Sequence, residues 1–256
     1  MNNLTINIIG SGNVAWHLAH QLHKCQYKIK MVYSQHIENA KKLAAEINAE
    51  PTNNIVNLQY ADVNILSLKD DVYLNFIAQL PKSESIFVHT AGCLDSTILN
   101  TITDNYGVLY PFQTFNKKQD IQFDNIPICL EAANNSTLEI LTNIANKISS
   151  NVHFLDMNQR ANLHLAGVFA GNFTNALYGM AEEILTRKNL NFDLIKPLIK
   201  ETAIKMDKLS PREAQTGPAA RKDWTIINKH IAMLNNDNQR NLYRFLSQII
   251  QEQQDK

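Results

Sequence analysis

The chain has 256 residues, with 24 Lys+Arg against 24 Asp+Glu, and is 45% hydrophobic and 19% charged. That length holds one large domain or two modest ones, each able to bury a core, and the composition excludes a disordered chain. Zero net charge argues against a general nucleic-acid binder, whose affinity rests on an excess of Lys and Arg, and no apolar run reaches the ~18 residues of a membrane span.

Leu4–Ile9 is rich in β-branched residues and predicts a strand. Asn13–Lys24 places Val14, Leu18 and Leu22 on one helical face. Ile29–Tyr33 reads as a second strand, and Ile37–Ile47 as a helix with Leu43 and Ile47 inward. Val63–Leu68 is nearly continuous apolar, as in a strand covered on both faces. Asp70 or Asp71 can cap a helix that runs to about Leu80 and is ended by Pro81. Ser85–His89, Gly107–Tyr110 and Ile126–Glu131 are further strands, Ser136–Ile148 is helical, and Val152–Leu155 is a last short strand. This alternation predicts an α/β fold with a Rossmann-type doubly wound, mostly parallel sheet.

After about Asp156 the strand signal vanishes. Asn158–Lys188 keeps helical spacing throughout, long for a globular helix. Helices over Phe192–Leu209, Asp223–Leu234 and Asn238–Gln251 follow, with a turn at Ser210–Pro218. The division is therefore a Rossmann-type α/β domain over residues 1–155 and an all-helical domain over 156–256. No flexible linker separates them, so the ligand cleft is expected between the two.

Glycine is scarce: eight residues, under half of the usual ~7%. Two of the eight stand in Gly10-Ser11-Gly12-Asn13-Val14-Ala15, a G-x-G-x-x-A pattern between a strand and a helix. The first Gly permits the tight turn, the second lets a pyrophosphate approach the backbone, and the small third residue lets the helix sit close to the strand. Free N–H groups of the helix then meet the phosphates. A tight turn without a ligand is the alternative, but the strand–turn–helix context that dinucleotide binding requires is present. An NAD-type carboxylate is expected about 20 residues on. None exists between Gln26 and Ile37, where Ser34, Gln35, His36 and nearby Lys41 offer donors for a 2′-phosphate. The expected cofactor is thus NADP rather than NAD.

Loops at the carboxyl ends of the strands form the ligand crevice in this fold. Ser67, Leu68 and Lys69 should lie along the cofactor, and His89 should point toward the crevice or the neighbouring strand. Gly92 suggests an unusual backbone conformation. Tyr110-Pro111-Phe112-Gln113 reads as a pocket wall or a packed strand exit.

In the helical half, His164 and Asn172 lie eight residues apart, close to two turns, and Gly167 and Gly171 thin the same helix for close approach. Either His164 is a hydrogen-bonded core residue, or it is a general acid/base on a nicotinamide-facing helix with Asn172 holding the substrate. Gly217-Pro218 makes a turn, and Asp223 can cap the next helix. Arg221 can bind a substrate carboxylate bidentately or pair with Asp223 at the surface.

These motifs occur in order: the glycine turn, Ala61-Asp62-Val63, His89-Thr90-Ala91-Gly92, Tyr110 to Phe115, His164 to Asn172, and Thr216-Gly217-Pro218 with Arg221 and Asp223. Together they resemble a family of Rossmann-like proteins with a helical C-terminal domain of unknown function, labelled NADP oxidoreductases. More distantly the layout is similar to pyrroline-5-carboxylate reductase, deazaflavin-dependent NADP oxidoreductases, ketopantoate reductase and the β-hydroxyacid dehydrogenases, with a C-terminal domain like that of 6-phosphogluconate dehydrogenase. In the ketopantoate reductases and β-hydroxyacid dehydrogenases a helix carries a catalytic Lys with an Asn one or two turns later. Here His164 stands in the place of that Lys, Val168 in the one-turn position and Asn172 in the two-turn position. Imidazole can replace the ammonium as proton donor.

The resemblance implies an NADP-dependent oxidoreductase moving hydride to or from a small carbonyl or imine, with His164, Asn172 and Arg221 as catalytic residues. A non-catalytic NADP(H)-binding sensor is the alternative. Leu163, Leu165, Val168 and Phe169 spread over more than one helical face, which predicts a homodimer through the helical domain. The N-terminal Met1-Asn2-Asn3-Leu4-Thr5 has no signal-peptide pattern. Cys25, Cys93 and Cys129 lack metal or redox spacing. A cytoplasmic protein without a metal site is the expectation.

Overall fold

A computed structural model describes residues 4–254; the part of the signal-peptide reading that falls on Met1, Asn2 and Asn3 lies outside them. The first half runs β1 (Thr5–Ile9), α1 (Asn13–Lys24), β2 (Lys28–Tyr33), α2 (Ile37–Glu46), β3 (Glu50–Thr52), β4 (Val63–Leu66), α3 (Tyr73–Ile77), β5 (Ile86–His89), β6 (Tyr106–Pro111), β7 (Ile128–Ala132), α4 (Asn135–Ile148) and β8 (Val152–Phe154). The strands form one sheet in the order β3-β2-β1-β4-β5-β6-β7-β8. All neighbours are parallel except β6 and β7. This is the Rossmann-type sheet that the strand–helix alternation predicts.

The central strands β4 and β5 are buried at every residue, since helices or turns cover both faces of the sheet. On one face Leu18 and Leu22 of α1, Leu43 and Ile47 around α2, and Leu141 and Ile144 of α4 pack on Ile6, Ile8, Val63 and Ile65. On the other, Tyr73, Phe76 and Ile77 of α3 join Leu66, Phe87, Leu99 and Ile102.

Three local features depart from the sequence pattern. No strand is expected between α2 and β4, yet Pro51 sits inside β3; β3 is an edge strand, where a missing N–H costs no ladder bond. The helix expected from Asp70 to Leu80 is a 3₁₀ turn over Asp70–Val72 followed by the short α3, and neither Asp70 nor Asp71 caps it. The link from β6 to β7 carries no crossover helix, so β7 returns antiparallel.

The chain forms two compact units, one up to Gly171 and one from Asn172. The sheet ends with β8, at the position read as a domain boundary, and α5 (Met157–Gly167) belongs to the first unit. Val168–Phe173 is π-helical, where the spacing predicts unbroken α-helix over Asn158–Lys188. The second unit holds α6 (Thr174–Thr186), α7 (Lys196–Ile204), α8 (Trp224–Met233) and α9 (Asp237–Gln254). No helix of the described residues is long and apolar enough to cross a membrane.

Candidate active site

Strands β1, β4, β5 and β6 share one direction, so their carboxyl ends lie along one edge of the sheet. At that edge the chain leaves β1 through Gly10, whose φ of +124° favours glycine. The Gly10 N–H donates to the Tyr33 carbonyl at 2.8 Å, and the Ser67 N–H donates to the Ile9 carbonyl at 2.7 Å. A Cβ on Gly10 would lie 2.1 Å from the Ser67 carbonyl oxygen. Gly10 therefore threads between the ends of β2 and β4.

Gly12 differs: a Cβ there would meet nothing within 4 Å. It is the N-cap of α1, and no side chain caps the helix. The first-turn N–H groups thus face open space with the positive end of the helix dipole behind them, a fit for a diphosphate. Asn13 is exposed and Val14 half-buried, while Ala15 is fully buried, as close packing of helix on strand requires. The Ser11 and Ser34 hydroxyls lie 2.8 Å apart, which brings the end of β2 onto the same turn. Gln35 and His36 beside them are exposed.

Past β4, Ser67 and Leu68 are half-buried and Lys69 is exposed. Buried Tyr73 props this loop: its hydroxyl donates to the Leu66 carbonyl at 2.9 Å and accepts from the Leu68 N–H at 3.3 Å.

His89 is 0% exposed. Its Nδ1 accepts from the Ala91 N–H at 3.2 Å, its ring meets Tyr73 edge-on, and Nε2 has no partner. As found, it lies beneath the crevice rather than on its surface. Burial, and then the Arg160 charge, drive its pKa from 6.5 down to about 3. Folding therefore excludes a proton that the unfolded chain binds, and stability falls as pH drops from 6.5 toward 3. The protein should be about 2 kcal/mol less stable at pH 5 than at pH 7.5 on this account. Urea unfolding at each pH checks it. His89→Gln, which keeps an acceptor for Ala91, should flatten the slope.

Helix α5 starts with a capping box between Asp156 and Gln159. One of its faces then meets the loops of the sheet edge, residue by residue. Arg160 is fully buried, pairs with Glu131 and donates to the Leu94 carbonyl at 2.5 Å. Ser96 donates to the other Glu131 oxygen at 2.5 Å. One turn on, His164 Nδ1 lies 2.9 Å from the Tyr110 hydroxyl. Gly92 leaves room for that ring: a Cβ on it would sit 2.6 Å from His164 Nδ1. A Cβ on Gly167 would lie 2.6 Å from Phe112, and one on Gly171 would lie 3.2 Å from Thr114. The two helical glycines thus serve close approach to the loop after β6.

Tyr110 is 9% exposed, and burial pushes its pKa up to about 12, so the hydroxyl keeps its proton. With that hydroxyl donating to Nδ1, the neutral His164 ring holds its own proton on Nε2. His164 itself is half-buried. Whichever group donates, the contact fixes the orientation of the ring, and imidazole is a side chain able to carry a proton.

The sequence pattern left Tyr110 as a pocket wall or a packed strand exit and assigned Arg160 to nothing. It read Gly92 as a backbone device, yet Gly92 is absent from the positive-φ residues, and clearance for His164 is its evident requirement. In the second unit, Asn172 and Arg221 are exposed. Gly217 has a φ of +108°, and the Asp223 carboxylate caps α8 by accepting from the Ile226 N–H at 3.1 Å. His230 pairs with the Tyr243 hydroxyl at 2.9 Å.

Residues 5–91 match a family described as NADP oxidoreductase coenzyme F420-dependent, and residues 126–250 match a domain of unknown function (DUF2520). A Bacteroides fragilis protein assigned by name as an NADP oxidoreductase is 39% identical, over 98% of this chain and 99% of that one, with a TM-score of 0.93. A Thermotoga maritima protein is 23% identical over 98% and 100% of the two chains, with a TM-score of 0.82. A reductive aminase from Aspergillus terreus, solved with NADPH4, cyclohexanone and allyl amine, shares the fold at 14% identity, over 98% and 93%, with a TM-score of 0.70. No curated protein matches significantly.

Proposed function

This chain belongs to the NADP oxidoreductase family, and from that premise we propose that it transfers hydride between NADP(H) and a small carbonyl or imine substrate. The observation that carries the reading is the Tyr110–His164 pair, 2.9 Å apart, on the sheet edge that also bears the glycine turn.

NADP, when bound, supplies or accepts the hydride. Gly10 and Gly12 would admit its diphosphate, and the first-turn N–H groups of α1, from Asn13 and Val14 onward, would meet the charge. Ser11, Ser34 and Gln35 would face the 2′-phosphate, and Ser67, Leu68 and Lys69 would follow the dinucleotide along the edge. His164 moves the proton: Nε2 donates to the substrate oxygen or nitrogen during reduction and takes the proton back in the reverse direction. Tyr110 holds the ring in place. His89, buried beneath, supports the loop that clears His164.

The test is consumption of NADPH with a panel of small ketones, oxoacids and ketone–amine pairs. Cyclohexanone with allyl amine belongs in it, because a reductive aminase of the same fold holds that pair. Turnover that His164→Asn lowers by about 10³-fold is the expected result. NADPH binding without turnover, unchanged by His164→Asn, would return the chain to a ligand-sensing reading. The roles read for Asn172 and Arg221 are tested singly: Asn172→Ala or Arg221→Ala must lower kcat/KM by about tenfold or more to sustain them.

Gly12→Asp separates binding from folding. The added side chain has open space and a good N-cap residue type, so the melting temperature should hold or rise slightly. Its carboxylate occupies the diphosphate position, and affinity for NADPH should fall by about a hundredfold. Calorimetric titration beside a melting curve reads both.

The helical unit is also proposed to pair two copies of the chain. Helix α6 buries none of its side chains and leaves Leu177 and Ile184 exposed. Trp224 and Met233 of α8 and Phe245 of α9 are exposed too. Apolar exposure on this scale marks an interaction surface. Sedimentation should give twice 29.1 kDa, and Phe245→Glu should shift the protein toward 29.1 kDa. A wild-type protein that sediments at 29.1 kDa would end this proposal.

A further inference from the structure

The loop between β6 and β7 reaches back to the glycine turn. Lys117 Nζ donates to the Ser11 carbonyl at 2.5 Å, across 106 positions of sequence. Its ammonium also lies 5.1 Å from the centroid of the Trp16 ring, and Lys42 of α2 lies 5.7 Å from the same ring. Two cations thus converge on one indole of α1, one turn past Gly12.

Neither lysine has a carboxylate partner among the described residues. Glu38 is held by Lys41 at 2.9 Å and Glu46 by His20 at 2.9 Å. Asp120 borders the hollow beside Trp16 and Lys117 without pairing to either lysine. Burial and the Lys42 charge both lower the Lys117 pKa, so its positive charge is disfavoured as it stands. The cation–π contacts hold both ammoniums in place but leave their charge uncompensated. The Ser11–Ser34 hydroxyl pair stands on the same turn, where an NAD-type chain would carry an acid.

We propose that Lys117 and Lys42, aligned by Trp16, form a cationic clamp for the 2′-phosphate of NADP and set the preference for NADP over NAD. The clamp does the work of the arginine that the segment after β2 lacks. It rests on the cofactor reading above and adds residues from the β6–β7 loop and from α2 to it. A phosphomonoester dianion between the two ammoniums relieves their repulsion and takes charge-assisted hydrogen bonds from both. The same lysines could instead serve the diphosphate, which NADH also carries.

The experiment is calorimetric binding of NADPH, NADH, adenosine 2′,5′-bisphosphate and adenosine 5′-monophosphate to the full chain. Lys117→Met and Lys42→Met keep the stems on Trp16 while removing the charge. Each should weaken NADPH and the bisphosphate by about tenfold and leave NADH and the monophosphate within about twofold. In a Trp224→Phe background Trp16 is the one tryptophan left, and the bisphosphate should shift its emission where the monophosphate does not. Equal losses for NADPH and NADH would assign the lysines to the diphosphate and overturn the clamp, as would no loss at all. Wild-type protein that binds both dinucleotides equally would overturn the clamp alone. Wild-type protein that binds neither would overturn the cofactor reading and the clamp with it.

Discussion

Arg160→Met should lower folding stability by about 3 kcal/mol, the low end of the cost of breaking a buried ion pair. Arg160 is the largest of the fully buried side chains among the described residues. Methionine keeps much of the apolar stem, so the loss measures charge and hydrogen bonds more than volume. What remains is the Glu131 carboxylate, its side chain 22% exposed, with the Ser96 hydroxyl as its partner. The Leu94 carbonyl loses its donor as well. That residual exposure of Glu131 lets water relieve part of the penalty, which is why the low end applies. Adding Glu131→Gln should recover a good part of the loss, because no unpaired charge is then left. Urea unfolding of the two variants, with unchanged m-values, checks both statements. A loss under about 1 kcal/mol for Arg160→Met would mean that the pair does not anchor α5.

The second large effect is on turnover. Gly92→Ala and His164→Asn should each lower kcat by about 10³-fold with NADPH affinity nearly unchanged. In Gly92→Ala the new methyl would lie 2.6 Å from Nδ1, 2.7 Å from Cγ and 2.9 Å from Cβ of His164. The clash reaches the root of the side chain, so rotating the ring does not remove it. Either α5 retreats or the ring leaves Tyr110, at a stability cost of about 1–3 kcal/mol. Removing the side chain in Gly92→Ala/His164→Gly takes away the clash down to its root, and should restore part of that stability without restoring turnover. Steady-state kinetics together with melting curves read the cycle. A Gly92→Ala enzyme of wild-type kcat would show that His164 need not sit where the structure has it.

His89 shows where alternation stops informing. In a strand exposed on one face, the period of two says which way a residue points. β5 is covered on both faces, so Ile86, Phe87 and Val88 are all apolar and give the His89 that ends the strand no direction. The reading of His89 as a crevice residue had nothing to decide between pointing at a ligand and pointing at Tyr73. The helical spacing around His164 was visible, but the partners of Arg160 and His164 lie on or just after β5, β6 and β7, brought together by the sheet order.

Glycine is the sharpest case. Gly10 and Gly12 were legible because a tight strand–turn–helix connection writes itself into neighbouring residues. Gly92 and Gly107 were not, because each answers an approach from far along the chain; at Gly167 close approach was expected, but not that Phe112 makes it. A Cβ on Gly107 would lie 2.2 Å from the Glu131 carbonyl oxygen of the antiparallel neighbour, a contact that no local pattern announces.

By itself, then, the sequence determined the strand–helix alternation, the parallel centre of the sheet, the glycine turn and the helical second half. Each follows from periods of two or 3.6 and from turn chemistry, which act over a few residues. Only the tertiary structure decided that β7 runs antiparallel, that Pro51 lies in an edge strand, that Tyr110 orients His164, and that Lys117 returns to Ser11. Those are encounters between segments far apart in sequence, and long-range closure leaves in the chain at most a residue type whose reason lies elsewhere.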